Sequence, residues 1–464
     1  MGKAHYKGKD LTEVRSLHRQ LMPDKKDVGL EPHEGTSLQG IAKRARACKQ
    51  HRFQNVYGMI DEKLLHRCWL DLNKRAASGV DGVTAAEYGE NLTERIEDLV
   101  QRLRMKRYRT KVVWRCYMPK EGGKVRPLGI PALEDKLVQL CCSKILSAIY
   151  EQDFLPFSYG YRPGRSARDA ECDLGFNMQY GRYGYAVEAD IKGFFDELEH
   201  DQLLEMLSRR VDDKAFLGLI KQWLKAGVLE PDGEMLHPKR GSPQGGIICP
   251  LLANVYLHHV LDEWFDQVVK AHVDGEAMLL RYADDDVCLF QYAEDAKRFY
   301  RSMGKRLGRY GLELSKEKSG LRRLSRFAFG LHNRIEFLGF EIYWSRAYDG
   351  EIRVMQRTSR KRLYRAIATI RHWIKANRHL RGGAFVQGLN RRLNGHYNYF
   401  GIKSNERSVK RFYDCAMEAA FKWLNRRGGK KSSFTWPSFV AVQKRLGLAK
   451  PRIMHRQRAH VVYN

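Results

Sequence analysis

Arg281-Tyr282-Ala283-Asp284-Asp285-Asp286-Val287-Cys288-Leu289-Phe290 contains three consecutive carboxylates. An apolar segment that begins at Met278 precedes them, and a second apolar segment follows them. Apolar segments separated by a short polar one predict a β-hairpin whose tight turn carries the charges. Adjacent carboxylates between buried strands repel one another and lose hydration, which favours a bound cation that neutralises them. A solvated loop tip is the ordinary alternative for an Asp-Asp pair in a turn.

A second segment supplies another carboxylate. The apolar residues between Tyr185 and Ile191 predict a strand that carries Asp190 near its end. Phosphoryl transfer with two Mg²⁺ ions, roughly 3.5–4 Å apart, uses carboxylates in this arrangement because these ions prefer oxygen ligands. The pattern therefore predicts that Asp190 joins the acidic turn in one metal site.

The positive charge of the chain is concentrated in its carboxyl-terminal quarter. The 464 residues carry a formal net charge of +29, and residues 351–464 contain 27 Lys and Arg but four Asp and Glu. A localised basic excess is typical of a surface that binds a polyanion, with a solvated or membrane-surface charge run as the alternative. Interleaved aromatic residues such as Trp373 and Tyr399 favour nucleic acid, because bases stack on such rings for about 1–3 kcal/mol each.

Cysteine usage and hydropathy indicate the compartment. The nine cysteines include no C-x-x-C pair, which argues against a zinc ribbon, a disulfide framework and a thioredoxin-like site. No apolar run approaches the roughly 20 residues of a membrane span, and the amino terminus lacks the apolar core of a signal peptide. We expect a soluble intracellular protein with no membrane partner.

The rest of the chain gives a coarse organisation. Residues 1–36 are polar and punctuated by Pro and Gly, which predicts a flexible segment. We expect a long helix from about Pro250 to His272 and a strand within Gly311 to Ser319. A basic helix is predicted from about residue 359, and its apolar positions recur at helical spacing: Leu363, Ile367, Ile370 and Ile374.

Three loops have compositions that suit ligands. The segment from Tyr117 to Pro131 reads as a hairpin with a Gly-Gly turn, in which Lys120 and Arg126 could clamp a triphosphate. An ordinary basic hairpin face is the alternative. The aromatic and Arg-rich segment 157–166 suits stacking on nucleic acid. In the Gly-rich loop 240–246, Gln244 could hydrogen-bond a base or sugar edge.

Taken in order, these motifs resemble those of the reverse transcriptases encoded by group II introns, also called intron maturases, and of their free-standing relatives. The resemblance runs from about residue 37 to residue 453. Its motifs are Arg52-Phe53 to Tyr57, Gly79-Val80-Asp81-Gly82, Pro119-Lys120 through Arg126 to Pro131, Tyr159-Gly160-Tyr161-Arg162-Pro163, Ala189-Asp190 to Asp196, Gly241-Ser242-Pro243-Gln244-Gly245, Tyr282-Ala283-Asp284-Asp285 and Phe337-Leu338-Gly339-Phe340.

The resemblance implies an α+β fold with the right-hand architecture of polymerases. Fingers and palm, with an antiparallel palm sheet, would span residues 37–345. A helical thumb, or X (maturase) domain, would span 346–428, and a basic nucleic-acid-binding segment would span 429–464. The implied activity is RNA-directed DNA polymerisation in the cytoplasm or nucleoid of a bacterium. The implied partners are an RNA template, a DNA or RNA primer, dNTPs, structured intron RNA and a DNA target.

The resemblance also assigns roles to residues. Asp190, Asp284 and Asp285 match the catalytic metal ligands for two Mg²⁺ ions, with Mn²⁺ as a substitute, and the backbone carbonyl of Ile191 matches a further ligand. The residues matched to the incoming nucleotide are Lys120, Arg126, Phe195 and Gln244, of which Phe195 excludes a ribose 2′-hydroxyl. Residues expected to contact nucleic acid are Arg162, Arg165, Lys318, Arg360, Arg365, Arg371, Lys375, Tyr397 and Tyr399.

Three features depart from the family pattern. Asp286 stands where relatives often have an apolar or aromatic residue, and we expect it to be a surface charge, with perturbed metal affinity as the alternative. His396 stands where Trp is frequent. No Cys/His-rich HNH endonuclease module follows the basic segment, so we expect no cleavage of a second DNA strand.

Two other functions stay open at this point. One is an RNA-binding splicing maturase with little polymerase activity, which the intact set of motif residues disfavours. The other is a domesticated polymerase of the same chemistry, acting in DNA repair or phage defence. The sequence does not separate the domesticated enzyme from one that serves a mobile intron.

Overall fold

The computed structural model describes residues 37–119, 125–242, 245–327, 329–330, 332–426 and 433–453. These residues form helices and strands in an α+β fold, and the predicted flexible segment 1–36 lies outside them. The α-helices, α1 to α14, are Leu38–Ala47, Glu62–Asp71, Ala85–Glu90, Leu92–Arg104, Leu133–Tyr150, Ala167–Tyr180, His200–Ser208, Lys214–Leu224, Cys249–Leu257, Ala293–Gly308, Arg360–Ala376, Gly382–Phe400, Glu406–Leu424 and Trp436–Arg445. The strands, β1 to β11, are Val113–Pro119, Val125–Ile130, Tyr185–Asp190, Val228–Leu229, Met235–Leu236, Ala277–Tyr282, Asp285–Phe290, Gly320–Arg323, Arg334–Phe337, Phe340–Arg346 and Ile352–Thr358.

The central element is a four-stranded antiparallel sheet with the order β6-β7-β3-β8. Residues 277–290, which comprise β6, β7 and their turn, are called the acidic hairpin below. Apolar clusters cover both faces of this sheet. Burial on both faces explains why β6 and β7 are continuous apolar runs rather than alternating ones.

Helices of the amino-terminal half pack around α5, which is buried on most of its surface, as its mostly apolar sequence indicates. A second sheet, with the order β2-β1-β4-β5, carries the predicted basic hairpin. In it, Met118 lies opposite Arg126. Lys120 and the Gly-Gly turn lie outside the described residues.

The basic carboxyl-terminal part is helical. We call α11 to α13, residues 360–424, the basic helical region. Its helices share one apolar core that includes Ile367, Ile370 and Ile374, which confirms the predicted helical spacing. The domain boundary predicted at residue 345 falls within the hairpin of β10 and β11, and the helical part begins after Ser359.

One prediction of local structure is confirmed and another is corrected. The predicted long helix runs from Cys249 to His272, with wider π-type turns at His258–Asp262 and Phe265–Val269. The segment Gly311 to Ser319 is not a strand; within it Leu314 makes an isolated bridge to Ile191, and β8 starts afterwards. No described helix is long and apolar enough to cross a membrane.

Candidate active site at the acidic hairpin

Three of the predicted carboxylates meet at one end of the central sheet. Asp190, the last residue of β3, lies directly opposite Asp285, the first residue of β7. Directly opposed residues share a face of the sheet, with Cβ atoms about 4.5–5.5 Å apart. Asp284 lies in the turn, next to Ala283, whose φ of 58° is in the left-handed region. Strand pairing thus brings together two acidic motifs that are far apart in the sequence.

Asp286 does not belong to this group. The hairpin turn consists of Ala283 and Asp284, so Asp286 is a strand residue, and successive strand residues point to opposite faces. Its side chain is 3% exposed and lies opposite Arg281, and neither carboxylate oxygen has a hydrogen-bond partner among the described residues. Burial raises the pKa of Asp286 well above its usual range. The expectation of a surface charge is wrong.

Arg281 holds the turn in place from the face of the sheet opposite Asp285. Its guanidinium is fully buried and donates from Nε and Nη2 to the two carboxylate oxygens of Asp262, over 2.7 and 2.6 Å. Further donations reach Asn254 Oδ1, Ser158 Oγ and the carbonyl oxygen of Ala283. All five N–H groups of a guanidinium are therefore used. This network ties the turn to the helix that begins with α9.

Gly160 of the aromatic loop touches the turn from another side. A Cβ atom at Gly160 would lie 2.3 Å from the backbone nitrogen of Ala283, a distance that no real contact permits. The carbonyl oxygen of Gly160 accepts a hydrogen bond from Asn254 Nδ2 over 2.6 Å. A glycine is thus required here by the close approach of two backbones.

The carboxylates make the site strongly electronegative. Loss of hydration, then the charges of Asp284 and Asp190, raises the pKa of Asp285 to about 6, although its carboxylate is accessible. Loss of hydration and the charge of Asp190 also raise the pKa of Asp284. The ammonium of Lys318 lies 2.9 and 3.0 Å from the two carboxylate oxygens of Asp190. Carboxylates that repel one another and attract an ammonium form a suitable donor set for divalent cations.

The acidic hairpin opens into a crevice of about 740 Å³ between the central sheet and the basic helical region. Arg126, Asp284 and Asp285 line it together. The charge of Arg126 counteracts the rise in the pKa of Asp284, as expected of a neighbouring cation. The crevice therefore combines acidic and basic groups, as a site for a metal-bound phosphate requires.

Of the other residues predicted to bind the nucleotide or the metal ions, the structure describes only Phe195 and Ile191. Phe195 is half-buried in a short 3-10 turn after β3, edge-to-face with Phe194 at 5.3 Å. Ile191 follows Asp190 directly, with its side chain buried. Lys120 and Gln244 lie outside the described residues.

Two of the residues predicted to contact nucleic acid are buried instead. The guanidinium of Arg162 pairs with Glu151 at 3.0 Å and donates to two backbone carbonyls, so it holds its own loop together. Tyr397 is fully buried in the core of the basic helical region, with no ring face for a base. The helical spacing of Leu389, Leu393 and Tyr397 is the signal that could have revealed this.

The remaining predicted contacts fall into two groups. Arg365 and Tyr399 line the crevice, and Lys318 lies beside it on Asp190. The others lie elsewhere: Arg165 rests on the ring of Tyr159 at 5.1 Å, Arg360 on Tyr364 at 5.7 Å, Lys375 on Trp423 at 5.2 Å, and Arg371 lies 3.9 Å from Glu418.

The crevice also contains residues to which the sequence analysis assigned no role. Tyr161 and Tyr282 present neighbouring rings, 6.5 Å apart, beside the carboxylates. Arg362 and Arg392 add positive charge from the basic helical region. His396, at the departure from the family pattern, stacks on Phe412 at 3.8 Å, and burial lowers its pKa to about 4. It therefore acts as an aromatic packing residue, as a Trp would.

Comparison with known families agrees with this geometry. Residues 118–342 match the family model described as reverse transcriptase (RNA-dependent DNA polymerase). This part of the chain, just under half of it, is therefore similar to reverse transcriptases. The matched region contains the three clustered carboxylates, Arg126 and Phe195.

Proteins similar to this chain include intron-encoded proteins. The chain is 39% identical over 207 residues to the group II intron-encoded protein LtrA of Lactococcus lactis subsp. cremoris, covering 44% of this chain and 33% of that protein. It is 34% identical over 203 residues to protein YkfC of Escherichia coli (strain K12), covering 43% and 52%. It is 27% identical over 146 residues to nuclear intron maturase 3, mitochondrial, of Arabidopsis thaliana, covering 32% and 20%. The chain thus spans between a fifth and about half of these relatives.

Proposed function

We propose that this chain is an RNA-dependent DNA polymerase that extends a primer with deoxynucleotides. The observation that carries the proposal is the meeting of Asp190, Asp284 and Asp285 at the end of an antiparallel sheet, in a crevice that also contains Arg126. In this reading the central sheet is the palm, the amino-terminal helices and the β1–β2 hairpin are the fingers, and the basic helical region is the thumb.

Asp190, Asp284 and Asp285 are the residues that would hold two Mg²⁺ or Mn²⁺ ions, together with the backbone carbonyl of Ile191. When bound, such ions stabilise negative charge on the attacking and leaving oxygens of an in-line displacement. Arg126, close enough to influence Asp284, binds the triphosphate of the incoming nucleotide, and Lys120, which lies outside the described residues, is the second cation assigned to it.

The reaction joins the 3′-hydroxyl of the primer to the α-phosphate of the dNTP and releases pyrophosphate. Phe195, next to the strand that carries Asp190, limits space at the sugar so that a 2′-hydroxyl is rejected, and Gln244 contacts the template or the nucleotide. Arg362 and Arg365 face the crevice and bind the phosphates of the template and primer. Tyr399, whose hydroxyl donates to the Leu338 carbonyl over 2.9 Å, offers a partly exposed ring beside them.

The decisive experiment measures dNTP incorporation on an RNA template annealed to a DNA primer in Mg²⁺. The wild type should extend the primer, and an Asp284→Asn/Asp285→Asn variant should not, while both bind the duplex. The matched control is Asp286→Asn, which removes a carboxylate from the same hairpin but from its buried face, and it should retain extension. Equal extension by the wild type and the Asp284→Asn/Asp285→Asn variant would refute the proposal.

A second function, binding of structured intron RNA to promote splicing and retrohoming, is favoured by a separate observation. The basic helical region has exposed cations that do not line the crevice, and one relative is named as an intron maturase. Splicing requires RNA binding without the three carboxylates. A self-splicing assay with the Asp284→Asn/Asp285→Asn variant therefore separates the two activities. If the flanking DNA encodes no folded intron, a domesticated role in DNA repair or phage defence becomes the better proposal.

A further inference from the structure

A second cluster of potential ligands lies in the helix between α9 and β6. At His258–Asp262 the backbone follows a π-type turn, which is wider than an α-helical one and changes which side chains share a face. His258, His259 and Glu263 meet there, and one ligand atom from each lies within 4.8 Å of the others. Such turns often occur at functional sites.

The carboxylate of Glu263 lies between the two imidazoles. Its Oε2 is 2.8 Å from His259 Nδ1, and its Oε1 is 3.5 Å from His258 Nε2. In a tetrahedral zinc site with bonds of about 2.0–2.2 Å, ligand atoms are separated by about 3.3–3.6 Å. The 3.5 Å separation lies within this range, whereas the 2.8 Å separation is a hydrogen-bond distance that would have to widen by about 0.5 Å around an ion.

The two histidines of this cluster are buried, and its carboxylate is partly exposed. The side chains of His258 and His259 are 4% and 8% exposed, whereas that of Glu263 is 33% exposed. Among the described residues, His258 Nδ1 and His259 Nε2 have no hydrogen-bond partner, and these are the ring nitrogens that do not face Glu263, so the proposed ligand atoms are the other two. The partial exposure of Glu263 leaves a path from solvent for an ion and for a water ligand.

We propose that His258, His259 and Glu263 form a structural site for a divalent ion of the zinc class. Two imidazole nitrogens and one carboxylate oxygen, with water in the fourth position, are a donor set that zinc accepts. Imidazole ligands favour zinc over magnesium, so this site is chemically distinct from the three carboxylates at the acidic hairpin.

Asp262 lies on the other side of His258. Its Oδ2 is 3.9 Å from His258 Nδ1, the ring nitrogen other than the one near Glu263, so the ring would have to shift slightly to make a hydrogen bond there. Metal-binding histidines commonly direct their second nitrogen to a carboxylate, which fixes the ring. Asp262 is also the partner of Arg281, which holds the carbonyl of Ala283. An ion here would therefore stabilise the helix that supports the acidic turn.

The test uses the full chain without a histidine tag. After dialysis into metal-free buffer, zinc is measured by mass spectrometry and titrated back, with Co²⁺ absorption as a second readout. The wild type should hold one zinc per chain, and Glu263→Gln and His259→Gln should lower the affinity at least about tenfold. The matched control is His66→Gln, because His66 and Glu62 form an exposed pair, 3.7 Å apart, without a third ligand.

The result does not depend on polymerase activity. The Asp284→Asn/Asp285→Asn variant should keep the zinc, and removing zinc from the wild type should lower its Tm. That drop in Tm gives a second measurement if a substituted chain folds poorly. A wild type that holds no zinc, or unchanged zinc binding in folded Glu263→Gln and His259→Gln, would overturn the proposal.

Discussion

Arg281 donates a hydrogen bond over 3.0 Å to the carbonyl oxygen of Ala283, from a guanidinium that is completely buried. The same guanidinium pairs with both carboxylate oxygens of Asp262, which is equally buried. The backbone turn that presents Asp284 therefore rests on an ion pair that water does not reach. The geometry of the acidic site depends on a charge that lies on the opposite face of the sheet.

Removing one partner of this pair should be costly. Asp262→Ala leaves the Arg281 charge buried and unpaired, which we expect to lower the free energy of unfolding by about 3–5 kcal/mol. Urea denaturation at neutral pH measures this change. The control is Glu313→Ala, which breaks an exposed pair with Lys192 and should cost less than about 1 kcal/mol. Equal costs for the two substitutions would show that the buried pair has no special role.

Gly160→Ala should disturb the acidic turn without unfolding the protein. The added Cβ would lie 2.3 Å from the Ala283 nitrogen, so one of the two backbones must move, and the carboxylates move with the turn. We expect primer extension to fall by at least about tenfold, because small displacements of reacting groups are costly in rate. Steady-state incorporation and a thermal melt, compared with the wild type, measure the two effects.

The control for this substitution is Gly218→Ala, in the interior of α8. A Cβ there meets no atom within 4 Å, and Ala is the better helix former. We therefore expect unchanged polymerisation and equal or higher stability. If Gly160→Ala also retains full activity, the turn tolerates displacement and the contact does not position the carboxylates.

The sequence was sufficient for the acidic motif but not for its register. The run of like charges between apolar segments selected Asp284 and Asp285, and the strand pattern selected Asp190, but only the other motifs taken in order favoured a site over a solvated loop tip. The length of the turn could not be predicted in this way, and that length decides on which face of the sheet Asp286 lies. Because side chains alternate along a strand, a turn of two residues sends Asp286 to the face opposite Asp285.

The burial of charged residues could also not be predicted from local sequence patterns. Arg281 sits beside the acidic turn and Arg162 in an aromatic loop, positions that favour exposure by composition alone. Each is buried because its partner, Asp262 or Glu151, comes from another part of the chain. Only the tertiary fold brings such partners together, and without them the same residues would be unstable inside the protein.

Glu171 should make stability depend on pH. Its side chain is completely buried in α6, and burial raises its pKa to about 8. The folded state then keeps this proton up to about pH 8, whereas the unfolded chain releases it near its ordinary pKa of about 4.3. Between these values the folded state binds more protons. The free energy of unfolding should therefore fall as pH rises, by up to about 1.4 kcal/mol per pH unit.

Glu171→Gln tests this dependence, because the amide has a similar shape and no proton to lose. Urea denaturation at pH 5, 6, 7 and 8 should give a shallower decline for the variant than for the wild type, with the largest difference at pH 8. The control Glu97→Gln changes an exposed residue of α4 and should leave the decline as it is. Parallel curves for the wild type and Glu171→Gln would show that another group causes the decline.

Two arginines of α11 should differ in their contribution to binding a template and primer. Arg365 lines the crevice, whereas Arg371 approaches Glu418 of α13, and six residues separate them, or about 120° around the helix. Arg365→Gln should weaken binding of an RNA–DNA duplex regardless of its sequence and reduce the slope of log affinity against log salt by about 1. Arg371→Gln should leave that slope unchanged. Fluorescence anisotropy at several salt concentrations measures both, and equal effects would mean that the duplex extends over the outer face of α11.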